Sequence, residues 1–307
     1  MIARRPSYIG LYESGELHER IRALRDLVRR CRICPHRCGA ARLEGEKGLC
    51  RTGPGAVVSS FTPHFGEEAP LVGRYGSGAI FMTGCNLRCV FCQNYDISHM
   101  CDGDEVESEG LVSMMLALQR RGCHNINFVT PTHQTYRIVE SLPRAVELGL
   151  EIPLVYNCGG YESVETLRLL EGIFDIYMPD LKYGDNAAAL SLSGAADYVE
   201  RSREAVAEMH RQVGDLEVGG DGVARRGLII RHLVLPGGLA GTRAVMEFVA
   251  SRVSPRSYVN IMDQYRPCYM AEERPPLDRP VRDDEYGAAL EAAREAGIVR
   301  LATGEPL

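Results

Sequence analysis

From about residue 79 to residue 296 the chain repeats one pattern, a short apolar run followed by an amphipathic stretch at helical spacing. The apolar runs cover residues 79–83, 125–130, 152–157, 174–179, 228–235 and 258–263. Helical periodicity predicts helices over 110–121, 136–148, 163–170, 196–212, 240–252 and 283–296. Strand and helix in strict alternation imply right-handed crossovers and a parallel sheet. Six such units are too few to close the eight-stranded barrel. The expected fold class is therefore α/β, a partial (β/α)6 barrel. Residues 215–226 (DLEVGGDGVARR) interrupt the pattern, and their GGDG turn predicts a β-hairpin inserted before the fifth strand.

The first 77 residues read differently. Leu17, Ile21, Leu24, Leu27 and Val28 recur at helical spacing, so residues 16–30 are expected to be a helix. A Gly-, Arg- and Cys-rich stretch without periodicity follows. The expected organisation is a Cys-rich N-terminal metal-binding segment over 1–77 and a core over 78–307 that ends in a C-terminal helix.

Charge and hydropathy narrow the partners. The net charge is −6 with no basic run, which argues against nucleic acid. No apolar stretch approaches the roughly 18–20 residues that span a bilayer, so no membrane association is expected. The start MIARRPSYIG is basic but has no apolar h-region. A cytoplasmic location is the expectation, and there thiols stay reduced.

That makes the cysteines informative. Of eleven, four fall between Cys31 and Cys50 and three between Cys85 and Cys92. In a reducing compartment such clusters read as metal or iron–sulfur ligands rather than disulfides. Cys85, Cys89 and Cys92 form C-x3-C-x2-C where the first strand of the repeat ends. Three thiolates on one short loop hold three irons of a cubane and leave the fourth iron open to a Lewis-basic ligand. The amino and carboxylate groups of S-adenosylmethionine (SAM) are such a ligand. A zinc site would usually close with four ligands. Cys31, Cys34, Cys38 and Cys50 form that closed set, C-x2-C-x3-C-x11-C, suited to zinc or to an auxiliary [4Fe–4S] cluster.

GCNLRCVFCQN resembles the cluster loop of radical SAM enzymes. With CRICPHRCGAARLEGEKGLC, NINFVTPTH, MPDLKY and MDQYRPCY, most of the chain is similar to the PflX-type branch, the pyruvate formate-lyase-activating-enzyme-like proteins. The resemblance implies a [4Fe–4S] cluster and SAM as cofactors, and an electron donor such as flavodoxin or ferredoxin as partner. The implied activity is reductive cleavage of SAM to a 5′-deoxyadenosyl radical that abstracts hydrogen from a substrate. Glycyl-radical-enzyme activase, with a protein glycine as substrate, is one alternative, and a modifier of a small molecule or peptide is another. A non-catalytic iron–sulfur carrier or metal sensor is the alternative from outside enzymes.

By the same resemblance SAM contacts fall at the strand ends. Thr130 and Thr132 end the second strand, Asn157 the third, and Asp180 and Lys182, in a sequence like the activase DLK, the fourth. Asn94, just past the last loop cysteine, joins the expected cofactor-binding set. Asp180, Lys182 and His133 are the expected catalytic groups, His133 as a proton carrier near neutral pH. On the fifth strand Arg231 and His232 must point to opposite faces, so one at most reaches the site. Asp263, Gln264 and Tyr265 are candidates for substrate contact, and Cys158 and Cys268 for hydrogen-atom donation.

Overall fold

A computed structural model describes residues 5–302. The first four residues, part of the basic start, lie outside the described residues. Among those described, the strands are β1 (Ala56–His64), β2 (Ser77–Met82), β3 (Asp104–Val106), β4 (Ile126–Val129), β5 (Leu154–Cys158), β6 (Ile176–Pro179), β7 (Glu217–Val218), β8 (Ala224–Leu233) and β9 (Tyr258–Met262). The α-helices are α1 (Ser7–Glu13), α2 (Glu16–Arg29), α3 (Ala69–Val72), α4 (Tyr95–Ser98), α5 (Ser108–Arg120) and α6 (Thr135–Glu147). They continue with α7 (Val164–Leu169), α8 (Asn186–Ser193), α9 (Tyr198–Val213), α10 (Thr242–Phe248) and α11 (Asp283–Ala296). None is long and apolar enough to cross a membrane.

The six apolar runs become β2, β4, β5, β6, β8 and β9, hydrogen-bonded in that order and all parallel. The GGDG segment forms the expected hairpin, with β7 antiparallel to β8. Each predicted helix is present, the fifth running on from α10 into a π turn over Val249–Val253. Sequence periodicity missed α8, because NAAALSLS is apolar without a face. It also missed β3, a three-residue strand on the sheet edge beside β1.

Alternation along the strands divides the sheet into two faces. Phe128, Tyr156, Tyr177, Leu228 and Ile230 point towards the helices and share one core with Leu118, Leu142, Leu167 and Val206. Val155, Ile176, Met178, Ile229 and Tyr258 line the other face. That face is covered from an unexpected source. Leu71 of α3, wholly buried, packs into it. The two residues before α3, Glu67 and Glu68, reach the polar positions of the same face.

The described part of the N-terminal segment, from residue 5 to 77, thus shares the core of the strand–helix repeat. Leu17, Leu24 and Val28 of α2, with Cys31, Ile33, Cys34 and Ala40, belong to the same apolar cluster as the sheet's helix-facing side chains. β1 pairs antiparallel with β2 and extends the sheet across the expected boundary at 77/78. A polar contact fixes the junction as well: Thr166 Oγ1 donates to the Ile33 carbonyl at 2.8 Å.

Candidate functional site

β2 delivers the chain into the three-cysteine loop through Gly84, whose φ is +74°. A Cβ there would stand 2.4 Å from the Cys50 carbonyl oxygen, so only glycine lets the loop pass beneath the N-terminal cysteine segment. Past it, each sulfur meets a donor or hydroxyl. The Leu87 N–H donates to Cys85 Sγ (3.3 Å), the Ser193 hydroxyl donates to Cys89 Sγ (3.0 Å), and Ser98 Oγ lies 3.1 Å from Cys92 Sγ. Burial pushes the Cys85 and Cys89 thiols up, and Lys182 opposes that shift without cancelling it.

Cys89 and Cys92 open onto a cavity of about 220 Å³, also lined by Asn94, Asp180, Lys182, Arg231 and Gln264. Asp180 is its electrostatic centre. Its carboxylate accepts from Lys182 Nζ at 2.6 Å and from Arg231 Nε at 2.8 Å. Burial alone would raise Asp180, but Arg231 and Lys182 overcome it and hold the carboxyl below its ordinary range. Arg231 spends its other donors on Asn157 Oδ1 (2.8 Å) and Glu67 Oε2 (3.5 Å). Asn157 Nδ2 donates to Glu67 Oε1 at 3.4 Å, and Asn260 Nδ2 donates to both oxygens of Glu68 at 2.9 and 3.0 Å. Behind the cavity lining, Arg231 thus ties Asp180 to a polar network that includes Glu67, with Glu68 beside it.

Arg231 and His232 part as strand geometry requires. Arg231 faces the cavity. His232 is wholly buried on the other side, its Nδ1 2.6 Å from the Leu181 carbonyl and its Nε2 2.9 Å from Thr242 Oγ1. A carbonyl only accepts, so Nδ1 carries the proton and Nε2 accepts from the threonine hydroxyl. Burial lowers His232 to about 4 from 6.5. As pH falls, the unfolded chain takes up this proton first. The stabilisation is complete above pH 6.5 and is lost as pH falls through about 4, on the order of 3 kcal/mol. We expect denaturant unfolding of His232→Gln to be less stable than wild type at pH 7. The gap should narrow towards pH 4, and a constant gap would refute the assignment.

Other expected residues stand away from the cavity. His133 is wholly buried, its Nε2 2.6 Å from the Thr83 carbonyl, and burial lowers it to about 4. It packs at the root of the loop, outside the cavity lining. Thr132 is buried too, its hydroxyl donating to Glu162 Oε1 at 2.6 Å. Glu162 also accepts from Tyr156 OH at 3.0 Å, and burial raises it to about 7. Thr130, at the end of β4, has φ +60°, a conformation rare for a β-branched residue. Cys158 is buried beside Glu162, and Cys268 is half-buried. Among the sixth-strand candidates Gln264 lines the cavity, whereas Tyr265 is buried with its hydroxyl donating to the Leu277 carbonyl at 2.6 Å.

The N-terminal cysteines lie near one another in pairs. A Cβ at Gly48 would stand 3.0 Å from Cys38 Sγ and 3.7 Å from Cys50 Sγ. The backbone pairs Cys31 with Gly39 and Ala40, bringing Cys31 back beside Cys38. Cys34 lies within electrostatic reach of Cys31 and Cys50. The set abuts the loop of Cys85, with His36 Nε2 2.7 Å from the Asn86 carbonyl. Sequence reasoning passed over Glu67, Glu68 and Arg42. No local pattern marks them, because their partners are distant in the chain.

Among the described residues no group of three His, Cys, Asp or Glu side chains is arranged around a single metal ion. A cubane distributes its thiolates over separate irons and needs no such convergence. The three sulfurs of the loop, with their N–H and O–H donors and the nearby Lys182, form a donor set that fits an anionic iron–sulfur cluster.

The profile described as the radical SAM superfamily matches residues 79–225. Uncharacterized protein MJ0674 of Methanocaldococcus jannaschii is 33% identical over 288 residues, covering 91% of this chain and 78% of that protein. Uncharacterized protein MJ0808 of the same organism is 29% identical over 161 residues, 46% of each chain. Among solved structures, Streptococcus suis SuiB bound to precursor peptide SuiA is similar with a TM-score of 0.45 and 14% identity. That likeness covers 71% of this chain and 46% of that one.

Proposed function

This chain belongs to the radical SAM superfamily, and we propose that Cys85, Cys89 and Cys92 hold the [4Fe–4S] cluster at which it reductively cleaves SAM. Members of the superfamily are enzymes that work with such a cluster and SAM. When bound, the pair supplies one-electron cleavage of the sulfonium C–S bond, giving a 5′-deoxyadenosyl radical that abstracts a hydrogen atom from the substrate. The observation that carries this reading is the opening of Cys89 and Cys92 onto the cavity of Asp180, Lys182 and Arg231.

The chain's own groups then have definite work. Lys182 and Arg231 offer cations to a carboxylate, and Asp180 orients both. Asn94 offers an amide donor and acceptor at the cavity, and Asn157, behind the lining, holds Arg231 in place. The left-handed backbone at Thr130 turns the end of β4 towards a cofactor, and Thr132 supports that turn from below. His133 anchors the loop through the Thr83 carbonyl. We read the six parallel strands as a partial (β/α)6 barrel with this cavity at its mouth. Cys31, Cys34, Cys38 and Cys50 are read as a second metal site, zinc or an auxiliary [4Fe–4S] cluster.

The likeness of Asp180-Leu181-Lys182 to the activase DLK favours one second reading, activation of a glycyl-radical enzyme at a backbone glycine. In either reading a flavodoxin or ferredoxin supplies the electron, in the cytoplasm. Anaerobically reconstituted protein reduced with dithionite should release 5′-deoxyadenosine from SAM, measured by chromatography. An intact cluster that yields none under varied reductants would overturn the enzyme reading. A glycyl radical, seen by electron paramagnetic resonance in a partner enzyme, would select the activase.

A further inference from the structure

Arg42 is the largest wholly buried side chain of the described residues, at 0% exposure, and it has no carboxylate partner among them. Its Nη1 donates to the His133 carbonyl at 2.6 Å. Its Nη2 donates to Thr52 Oγ1 at 3.0 Å and to the Gly53 carbonyl at 3.1 Å, and Nε reaches the same carbonyl at 3.3 Å. The Tyr136 ring lies 5.5 Å from the guanidinium carbon. Every one of these partners is neutral. Glu162, a buried carboxylate near Cys34, is engaged by Thr132 and Tyr156 instead.

An arginine stays charged in a protein interior, and an uncompensated buried charge is strongly destabilising. Neutral acceptors satisfy its hydrogen bonds but not its charge. The remaining neighbour is Cys31, whose Sγ stands 4.0 Å from Nη1. A neutral thiol brings no compensation. A metal centre does, because ligating cysteines are deprotonated. Four thiolates around Zn²⁺, or around a [4Fe–4S]²⁺ core, leave a double negative charge.

We propose that Cys31, Cys34, Cys38 and Cys50 hold an anionic tetrathiolate metal centre and that Arg42 is its built-in counter-charge. This deepens the reading of the N-terminal cysteines given above and is independent of SAM cleavage. Arg42 also explains where the centre sits. Its Nη1 holds the His133 carbonyl, and His133 in turn holds the Thr83 carbonyl two residues before Cys85. With the His36–Asn86 contact, the centre is joined to the cluster loop by two short polar routes.

Metal analysis of the wild-type chain, purified and reconstituted without oxygen, is the first test. Metal beyond one cubane is expected, either about eight irons per chain or about four irons and one zinc. The first result identifies a cluster and the second a zinc site. About four irons and no zinc would overturn the proposal. The second test uses a chain with Cys85, Cys89 and Cys92 all changed to Ala, which should keep the N-terminal metal alone. Adding Arg42→Met should weaken retention against a chelator by about 10–100-fold, and Arg42→Lys should restore most of it. If the centre is a cluster, Arg42→Met should also move its reduction potential to lower values, because the reduced form carries more negative charge. Unchanged retention and potential in Arg42→Met would remove Arg42 from the role. If the triple variant does not fold, Arg42→Met in the wild-type chain should lose only the metal in excess of one cubane. Loss of 5′-deoxyadenosine production in the wild type would bear on the SAM reading and leave this one standing.

Discussion

Changing Cys85, Cys89 or Cys92 singly to Ala should reduce 5′-deoxyadenosine formation to the background of metal-free protein, with loss of about four irons per chain. The geometry gives no substitute. Each sulfur already has its own hydrogen-bonding neighbour, the Leu87 N–H or the Ser193 or Ser98 hydroxyl, and no other cysteine lines the cavity among the described residues. Cys101→Ala is the control, since Cys101 lies outside the 85–92 loop and should leave iron and product unchanged. Iron analysis and chromatography of the same preparations decide the matter. A Cys101→Ala chain that lost its cluster while Cys89→Ala retained it would refute the ligand assignment.

The second large effect concerns Asp180. Its side chain and those of Lys182 and Arg231 are 17–18% exposed, and it is the anion between the two cations. Asp180→Ala leaves those cations facing one another, with Glu67 and Glu68 as the nearby carboxylates. Breaking a buried charge pair from one side costs about 3–5 kcal/mol, and unfolding in denaturant should show a loss of that order. Because Asp180 also orients Lys182 at the cavity, 5′-deoxyadenosine formation should fall as well. Adding Arg231→Met to Asp180→Ala should recover part of the stability, because it removes one uncompensated cation. Additive losses in the double variant would show that the two side chains are not coupled, contrary to their 2.8 Å contact.

How far the site could be read in advance follows from which contacts are local. The three-cysteine loop was legible because its cysteines lie within eight consecutive residues, 85–92. Asp180 and Lys182 were legible because residues two apart on an extended chain share a face. The same alternation announced that Arg231 and His232 would separate, but not which would enter the cavity. That choice depended on Asp180, Asn157 and Glu67 waiting on one side and on the Leu181 carbonyl and Thr242 on the other. His133 looked like a site residue from its place at a strand end. Only the packing of residues 42–54 over that turn shows it to be buried.

The sequence by itself determined the parallel sheet, its strand order along the repeat, the inserted hairpin and the cysteine loop at the end of β2. These follow from apolar periodicity and from short spacings, which act between neighbours in the chain. Tertiary structure alone decided that Leu71, Glu67 and Glu68 would fill and floor the inner face of the sheet. It also decided that Arg42 would lie buried between the N-terminal cysteines and the turn at His133. Arg231 is 164 residues from Glu67, and His133 is 91 from Arg42. Such pairings leave no local period, because they are set by which surfaces remain to be covered, and which charges remain to be balanced, once the sheet has formed.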